Sequence, residues 1–169
     1  MDTYDENPYQ APAEAVEVMP VPGRPELAAR LARLGAAILD ALIGTVAAAP
    51  IMILTGYFAR AMKQEVSPVE AILYSVLGFG IYMALHGYFL ATRGQSIGKM
   101  ALRIRIVDYN TGEILPLGKL VGLRLAPVWL VSLIPIIGGI LALIDVLFIF
   151  GEERLCIHDR IAGTKVVVA

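Results

Sequence analysis

The stretch RLARLGAAILDALIG, residues 30–44, decides the fold of this chain. It begins with arginines, becomes almost wholly apolar, and contains Asp40 in its middle. The apolar run continues to Ala59, and from Leu34 onward Asp40 is its only charged residue. A helix needs about 20 apolar residues to cross the hydrocarbon core of a bilayer. The pattern predicts a first membrane-spanning helix over residues 34–58 that carries an acid within it.

A second run of the same kind follows. Residues 71–91, AILYSVLGFGIYMALHGYFLA, contain no acid, lysine or arginine. The chain is 57% hydrophobic and 17% charged, whereas a typical soluble domain is about half apolar and a quarter charged. The first 23 residues are acidic, which argues against a secretory signal peptide. We therefore expect an integral, all-α membrane protein.

The segments outside these runs are polar or β-prone. Residues 1–25 are acidic, proline-rich and aperiodic, which predicts a disordered cytoplasmic tail ahead of a transmembrane domain at 26–169. Over residues 101–117 apolar and polar residues alternate around the Asn-Thr-Gly turn at 110–112, which predicts a β-hairpin. Residues 163–168 are also β-prone, and we expect them to pair with the hairpin in a small cytoplasmic sheet.

The last apolar block, residues 120–150, is broken by PIIGG at 135–139. It permits either one long tilted helix or two short segments over 121–136 and 138–150. Lys and Arg favour the cytoplasmic side of short loops, and four segments would place twelve of the fourteen basic residues there. The charge distribution thus predicts a bundle of four transmembrane segments, the last two short and hairpin-like, with both termini cytoplasmic.

Asp40 is the first candidate for a functional group. An acid at the centre of a membrane helix costs about 2.5–3.5 kcal/mol on insertion scales, so it has to face protein or water. Small residues near it, such as Ala36 and Gly44, indicate a face on which another helix packs closely. Its partner could be His86, Arg124 or the backbone amides at the PIIGG break. Its role could be ion handling or a structural lock.

Asp145 and His86 are two further candidates for ion or proton handling. Asp145 lies inside LALIDVLFIF, and two intramembrane acids can share a proton or bind a cation. The alternative for Asp145 is a place near a helix end, where it reaches water. His86 would suit a proton relay because histidine titrates near neutrality, although a histidine in a span more often hydrogen-bonds across helices.

Two motifs suggest ligands and do not fit them. GQSIGK at 94–99 has three residues between its glycines, where a phosphate-binding loop has four, and methionine follows its lysine. CIHD at 156–159 groups possible zinc ligands without a second ligand pair. The sequence shows no nucleophile motif of a hydrolase. We expect no cofactor, no metal, no nucleic-acid partner and no enzymatic activity.

Three motifs, in their order and spacing, resemble the RDD family of small bacterial membrane proteins: RLGAAILDALI, TRGQSIGKMALRIRIVDYNTGEIL and RLCIHDRIAGTKVVV. The resemblance covers residues 27–168. The family is named for one arginine and two aspartates. By position, Arg33 matches the arginine, Asp40 the first aspartate and Asp159 the second aspartate. Asp145 lies at a position that is often acidic in the family. The resemblance implies a multi-pass protein of the bacterial cytoplasmic (inner) membrane.

The resemblance also places HDRIAGTKVV in the cytoplasmic tail, at the membrane surface. There Asp159 could pair with Arg33, or with Arg103 or Arg105, and tie the last strand to the first helix and the hairpin. On this interpretation these four residues form a structural polar clamp.

Two functions follow from the resemblance. Some family members are associated with sodium/proton antiport, which implies a small transporter of a monovalent cation or proton that uses Asp40, Asp145 and His86. Many others occur as domains fused to further domains, which implies a non-catalytic scaffold or assembly module. The expected partners are the lipid bilayer and either a second copy or another membrane protein.

Overall fold

The computed structural model describes residues 25–134 and 137–169, so the expected acidic tail lies outside the described residues apart from Pro25. The described chain is mostly helical and has one small antiparallel sheet. In chain order its elements are α1 (Arg30–Leu54), α2 (Tyr57–Met62), α3 (Pro68–Arg93), α4 (Ile97–Ala101), β1 (Ile104–Asp108), α5 (Leu117–Leu120), α6 (Ala126–Ser132), α7 (Ile137–Leu147), α8 (Ile157–Ala162) and β2 (Thr164–Val168).

Two helices, α1 with 25 residues and α3 with 26, are long and apolar enough to cross a membrane by length and composition. Helix α3 contains the second span expected from the sequence, residues 71–91, whereas α1 covers the first only up to Leu54, and α2 follows it. At the start of α3 the Ser67 hydroxyl accepts a hydrogen bond from the backbone N–H of Glu70, and Pro68 occupies the first turn. Gly94 ends α3 with φ of +64°, a conformation that glycine adopts without strain.

The last apolar block forms two short segments instead of one long helix. The first runs from α5 through a π-helical turn (Val121–Leu125) into α6, and the second comprises α7 and a 3-10 turn (Phe148–Phe150). A Cβ on Gly138 would lie 2.4 Å from the carbonyl oxygen of Val131, so glycine permits the close contact of α7 with α6. These segments of 16 and 14 residues are about 24 and 21 Å long, shorter than a hydrocarbon core of about 30 Å. Among the described residues, only α1 and α3 meet the length of a full span.

The sheet pairs β1 with β2 in antiparallel register, from Ile104 opposite Val168 to Asp108 opposite Thr164. The β-prone C-terminal segment therefore joins the sheet as expected. The hairpin expected over residues 101–117 is wrong, because its second arm forms no strand. The turn itself exists, since the backbone N–H of Asp108 donates to the Glu113 carbonyl oxygen at 2.8 Å.

β1 has no free edge for a hairpin partner. On the side away from β2, the carbonyl oxygen of Gly94 accepts the N–H of Ile106 at 2.8 Å, and the Gln95 side chain donates to the carbonyl oxygen of Ile104 at 2.9 Å. Pro116 also ends the returning arm, because proline has no backbone N–H to donate. Gly94 and Gln95 therefore occupy the edge of β1 at which the sequence pattern predicted the second strand of a hairpin.

The outer edge of β2 is covered by the residues just before α1. The N–H of Ala28 donates to the carbonyl oxygen of Val166 at 3.0 Å, and the N–H of Val168 donates to that of Glu26 at 2.9 Å. We call residues 96–108 and 156–168, which comprise α4, β1, α8 and β2, the cap. The buried hydrophobic core lies where the cap meets the start of α1 and the end of α3. Its members are Ala28, Ala36, Leu90, Ile104, Ile106, Leu115, Leu120 and Val166.

Candidate functional site

Asp40 of α1 is bound by the N-terminal end of α4. The Ser96 hydroxyl donates to its Oδ2, and the backbone N–H of Gly98 donates to its Oδ1 at 2.7 Å. Lys99 Nζ lies 3.7 Å from Oδ2. Only 8% of Asp40 is exposed, so these groups replace water around the carboxylate. We call Asp40, His86, Ser96, Gly98 and Lys99 the Asp40 cluster.

The close approach of α4 to α1 depends on small residues. A Cβ on Gly98 would lie 2.3 Å from the carbonyl oxygen of Ala36 and 2.9 Å from Asp40 Oδ1, and neither distance is compatible with a side chain. Glycine at this position therefore lets the α4 backbone reach the carboxylate. The GQSIGK motif, which does not fit a phosphate, supplies the hydroxyl, the amide and the ammonium group that surround Asp40.

His86 of α3 is fully buried beside this carboxylate. Its Nδ1 accepts the backbone N–H of Ile97 at 3.2 Å, which assigns the proton of the neutral ring to Nε2. Nε2 lies 3.9 Å from Asp40 Oδ1 and has no hydrogen-bond partner among the described residues. The ring packs against Tyr82, with the ring centroids 4.5 Å apart.

Lys99 supplies the positive charge of the Asp40 cluster. Burial and the positive charge of Arg124 lower the pKa of Lys99 to about 8, against the opposite influence of Asp40. A lysine with this pKa is mostly protonated at neutral pH, so the contact with the carboxylate is ionic. Both Asp40 and Lys99 also line a cavity of about 900 Å³ between α1 and α3.

A second group of charges surrounds Asp159 of α8, whose side chain is fully buried. Arg33 of α1 and Arg124 of the π-helical turn both form ion pairs with its carboxylate. The carboxylate also accepts the backbone N–H of Cys156 at 3.1 Å, so it caps its own helix. Burial by itself would raise the pKa of Asp159, but Arg124 and Arg33 outweigh burial and lower that pKa to about 2.

Asp145, at the end of α7, belongs to this second group. Its Oδ1 accepts the backbone N–H of His158 at 3.0 Å, and its Oδ2 lies 2.5 Å from His158 Nδ1. His158 Nε2 lies 3.7 Å from Asp159 Oδ1, so the imidazole stands between two carboxylates and connects α7 with α8. We call Arg33, Arg124, Asp145, His158 and Asp159 the Asp159 cluster. The hydrogen bonds and ion pairs of the described residues do not join Asp145 directly to Asp40 or His86, as a shared proton path would require.

Cys156 has the geometry of a metal ligand but not the surroundings. Its Sγ and the donor atoms of Asp145 and His158 all lie within 4.8 Å of one another, close enough to share an ion. The guanidinium of Arg33, however, lies 3.6 Å from Sγ, where its charge opposes a cation. Burial raises the pKa of the Cys156 thiol to about 11, so the thiol is protonated at neutral pH. The arrangement favours a hydrogen-bonded connection over a metal centre.

Two of the arginines expected in the clamp lie elsewhere. Arg103 and Arg105 form no ion pair with another residue in the described part of the chain; Arg105 is exposed on β1, and Arg103 precedes it with φ of +53°. Arg33 does contact Asp159, as the sequence suggested. The second guanidinium comes from Arg124, because the π-helical turn packs against α8 and directs this side chain inward.

The partner of Asp40 was the other gap in the sequence prediction. Of the expected partners, His86 lies near Asp40, whereas Arg124 binds Asp159 instead. Residues 135–136 of the PIIGG break lie outside the described part of the chain. The available signal was the GQSIGK motif, which places a hydroxyl, a backbone amide without a side chain and an ammonium group within four residues, at Ser96, Gly98 and Lys99.

The sequence pattern of the RDD family matches residues 27–163, which include Arg33, Asp40 and Asp159. The chain belongs to the RDD family. A protein from Haemophilus influenzae, named "Uncharacterized protein", is 32% identical over 94 residues, which is 54% of this chain and 56% of that protein. The chain therefore spans about half the length of this relative. No solved structure matches the RDD chain. Family membership and the two long apolar helices together indicate a membrane protein.

Proposed function

We propose that this RDD chain is a non-catalytic scaffold or assembly module of the bacterial inner membrane, which holds its cap rigidly on the cytoplasmic surface. In this arrangement α1 and α3 cross the bilayer. The short segments of residues 117–132 and 137–150 enter it from the cytoplasmic side as a hairpin. The support is the charge distribution, since both termini and the cap then lie on the side that carries twelve of the fourteen basic residues.

The proposal rests on one observation: the buried carboxylates of Asp40, Asp145 and Asp159 each join two helices. Asp40 joins α1 to α4, Asp145 joins α7 to α8, and Asp159 joins α8 to α1 through Arg33. Each carboxylate therefore connects an apolar helix to the cap, and each has hydrogen-bond donors on both of its oxygens or an ion pair. Groups with these partners stabilise one arrangement of helices, because breaking any of them leaves a buried charge unpaired. A rigid cap on a membrane anchor suits assembly with another membrane protein or a second copy.

The test of this proposal compares the stability and the transport activity of Asp40→Asn. We expect the variant to unfold about 1–2 kcal/mol more easily than the wild type in detergent, because it weakens hydrogen bonds to a buried charge. Sodium-driven proton flux in proteoliposomes should be the same for both proteins and equal to empty vesicles. Glu113→Gln, which removes an exposed acid of the turn, serves as the charge-matched control.

Assembly itself is tested by native gel electrophoresis of membranes that contain the wild type or Asp40→Asn. We expect the wild type in complexes larger than the single chain and a smaller fraction of such complexes for the variant. A wild type that migrates only as a monomer in native membranes contradicts the assembly role.

A second candidate function, cation/proton exchange, is favoured by one observation. Asp40 and Lys99 line the cavity between α1 and α3, and the buried Nε2 of His86 faces the same carboxylate at 3.9 Å without a hydrogen-bond partner among the described residues. A carboxylate between an ammonium group and an imidazole can exchange a proton or a monovalent cation with the cavity. The same flux assay separates the two functions: exchange requires flux in the wild type that Asp40→Asn abolishes while the protein stays folded.

A further inference from the structure

The side of the sheet that points away from the core contains two buried valines. Residues paired across antiparallel strands point to the same side, so Ile106 and Val166 both face the core. The alternate residues Val107 and Val167 point to the opposite side, which we call the distal face, and neither belongs to the core cluster. Their exposed fractions are nevertheless only 2% and 0%. Because a sheet buries apolar residues by packing against a second layer, the distal face indicates such a layer.

The start of the described chain already lies at this face. Leu27 forms a bridge with Val167, so its side chain stands on the distal face at the edge of β2. Val107 lies one strand further, on β1, and Leu27 alone does not cover both valines. The residues that precede Leu27 in sequence are the nearest further part of the chain. At about 3.3 Å per residue, ten of them reach well across two strands that lie about 4.8 Å apart.

The valines of the distal face are flanked by positive charge. Arg105 lies opposite Val167 and is exposed, and Lys165 lies opposite Val107. The ammonium group of Lys165 is 5.3 Å from the centre of the Tyr109 ring. Neither basic side chain forms an ion pair with another residue in the described part of the chain. The distal face therefore suits a segment that combines apolar residues with acids.

Residues 14–19, EAVEVM, have this composition and lie within reach. An extended conformation would place Glu14, Val16 and Val18 on one side of the segment, because side chains alternate along a strand. The PVPG sequence that follows at 20–23 suits a change of direction before α1, since proline and glycine favour turns. Sequence pattern, length and charge thus all match the distal face.

We propose that residues 14–19 fold back over the distal face, with Val16 and Val18 on the two buried valines and the acids beside Arg105 and Lys165. For these residues docking replaces the disorder expected of the whole tail. The contact provides the second layer that the sheet requires. It depends only on a formed sheet, and on neither the scaffold role nor the exchange role.

The docking is tested by acetylation of lysines in the full chain, purified in detergent, with the rates measured by mass spectrometry. Lys165 reports on the distal face, and Lys63, which is exposed at the end of α2, is the internal reference. Val16→Asp/Val18→Asp should raise the ratio of Lys165 to Lys63 modification roughly tenfold. The reason is that the amine reacts in the undocked form, which the loss of two apolar contacts favours.

Ala11→Asp/Ala13→Asp is the matched control. It adds the same two charges to the same tail, outside residues 14–19, and should leave the Lys165 ratio at the wild-type value. A third variant, Glu14→Gln/Glu17→Gln, tests the charge and should raise the ratio only about twofold, because ion pairs at an exposed rim contribute little.

Four outcomes overturn the proposal. The first is an equal Lys165 ratio in the wild type and Val16→Asp/Val18→Asp. The second is a rise at the buried Lys99 together with Lys165, which would indicate opening of the cap. Protection of Lys165 that grows with protein concentration would assign the distal face to a second copy, and protection only in vesicles of phosphatidylglycerol would assign it to the membrane. None of these results depends on flux or on native complexes, so the docking and the proposed function fail separately.

Discussion

Asp40 and Asp159 are both buried carboxylates that fasten the cap to α1, but their surroundings differ. Asp159 is completely enclosed, and two guanidinium groups neutralise it. Asp40 is held by a hydroxyl, a backbone amide and a more distant ammonium group, and it borders an open cavity. The Asp159 cluster therefore depends on charge balance, whereas the Asp40 cluster depends on hydrogen bonds and on the close approach of two backbones.

The difference predicts how each cluster responds to change. Removing a charge from the Asp159 cluster leaves unpaired charges where no water can reach them. Removing the charge of Asp40 leaves groups that a neutral amide can still satisfy in part. Structural importance should therefore concentrate at Asp159, while any activity toward ions should concentrate beside Asp40.

The largest expected effect is that of Asp159→Asn. The substitution preserves the shape of the side chain but leaves Arg33 and Arg124 buried without the carboxylate that both of them contact. We expect a loss of about 3–5 kcal/mol in the free energy of unfolding, measured by chemical denaturation in detergent. If Asp159→Asn is no less stable than Asp40→Asn, the proposed contrast between the two clusters is wrong.

The next effect concerns backbone contact in the Asp40 cluster. Gly98→Ala places a Cβ against the carbonyl oxygen of Ala36, so α4 has to move away from α1. We expect a loss of about 2–3 kcal/mol in stability, as for other overpacked sites. Gly80→Ala is the control, because its Cβ has open space and alanine favours a helix. Equal stability of the two variants would exclude a close contact at Gly98.

Acid should weaken the Asp159 cluster in a defined range. Because the folded pKa of Asp159 is lowered to about 2, its contribution is complete above the ordinary pKa near 4 and is lost as the pH falls through about 2. The loss should be on the order of 2 kcal/mol. Thermal unfolding measured from pH 6 down to pH 2.5 would detect this loss of stability as a decrease in the midpoint temperature. Hydrogen bonds from the backbone N–H groups of Thr111 and Asn110 lower the pKa of Asp108 as well, so Asp108→Asn should remove only the part of the decline that belongs to this exposed turn and keep the part that belongs to Asp159. A midpoint that falls mainly above pH 5 would assign acid sensitivity to other groups.

The smallest effect distinguishes Arg105, which the sequence assigned to the clamp, from Arg124, which forms the ion pair with Asp159. Arg105→Ala should change the free energy of unfolding by about 0.5 kcal/mol or less, because the side chain is exposed and forms no ion pair with the described residues. Arg124→Ala should cost several times more, since it breaks a buried ion pair. Denaturation of both variants under one condition tests the assignment, and the reverse order would restore Arg105 to the clamp.

The parts of this fold that were predictable are those that local pattern determines. The two long helices follow from apolar runs that have few alternatives in a membrane. The pairing of Arg33 with Asp159 was one of three that the family resemblance left open, beside Arg103 and Arg105. The partner of Asp40 was not predictable in this way, because Ser96 and Gly98 lie 56 and 58 residues away in sequence. Only the fold of α3 back along α1 brings them together.

The expected hairpin also shows that local sequence pattern does not determine contacts between distant segments. Its turn chemistry was correct, since Asp108 Oδ1 accepts the backbone N–H groups of Asn110 and Thr111. Strand pairing, however, depends on which edge is free, and β1 was already bonded to Gly94 and Gln95. The role of Arg124 was missed for a similar reason: the inward direction of its side chain comes from a π-helical turn that the sequence pattern does not reveal.

The position of β2 at the end of the described chain also determines when the cap can fold. β2 is made after every other described element, and it pairs with β1 and with the residues that precede α1. In the proposed arrangement α1 and α3 enter the bilayer one by one during synthesis, and the sheet can form only after Thr164–Val168 has been made. Its closure joins segments separated by about 60 and 140 positions, a slow step for any chain. In that arrangement the cap forms last, after α1 and α3 are in place.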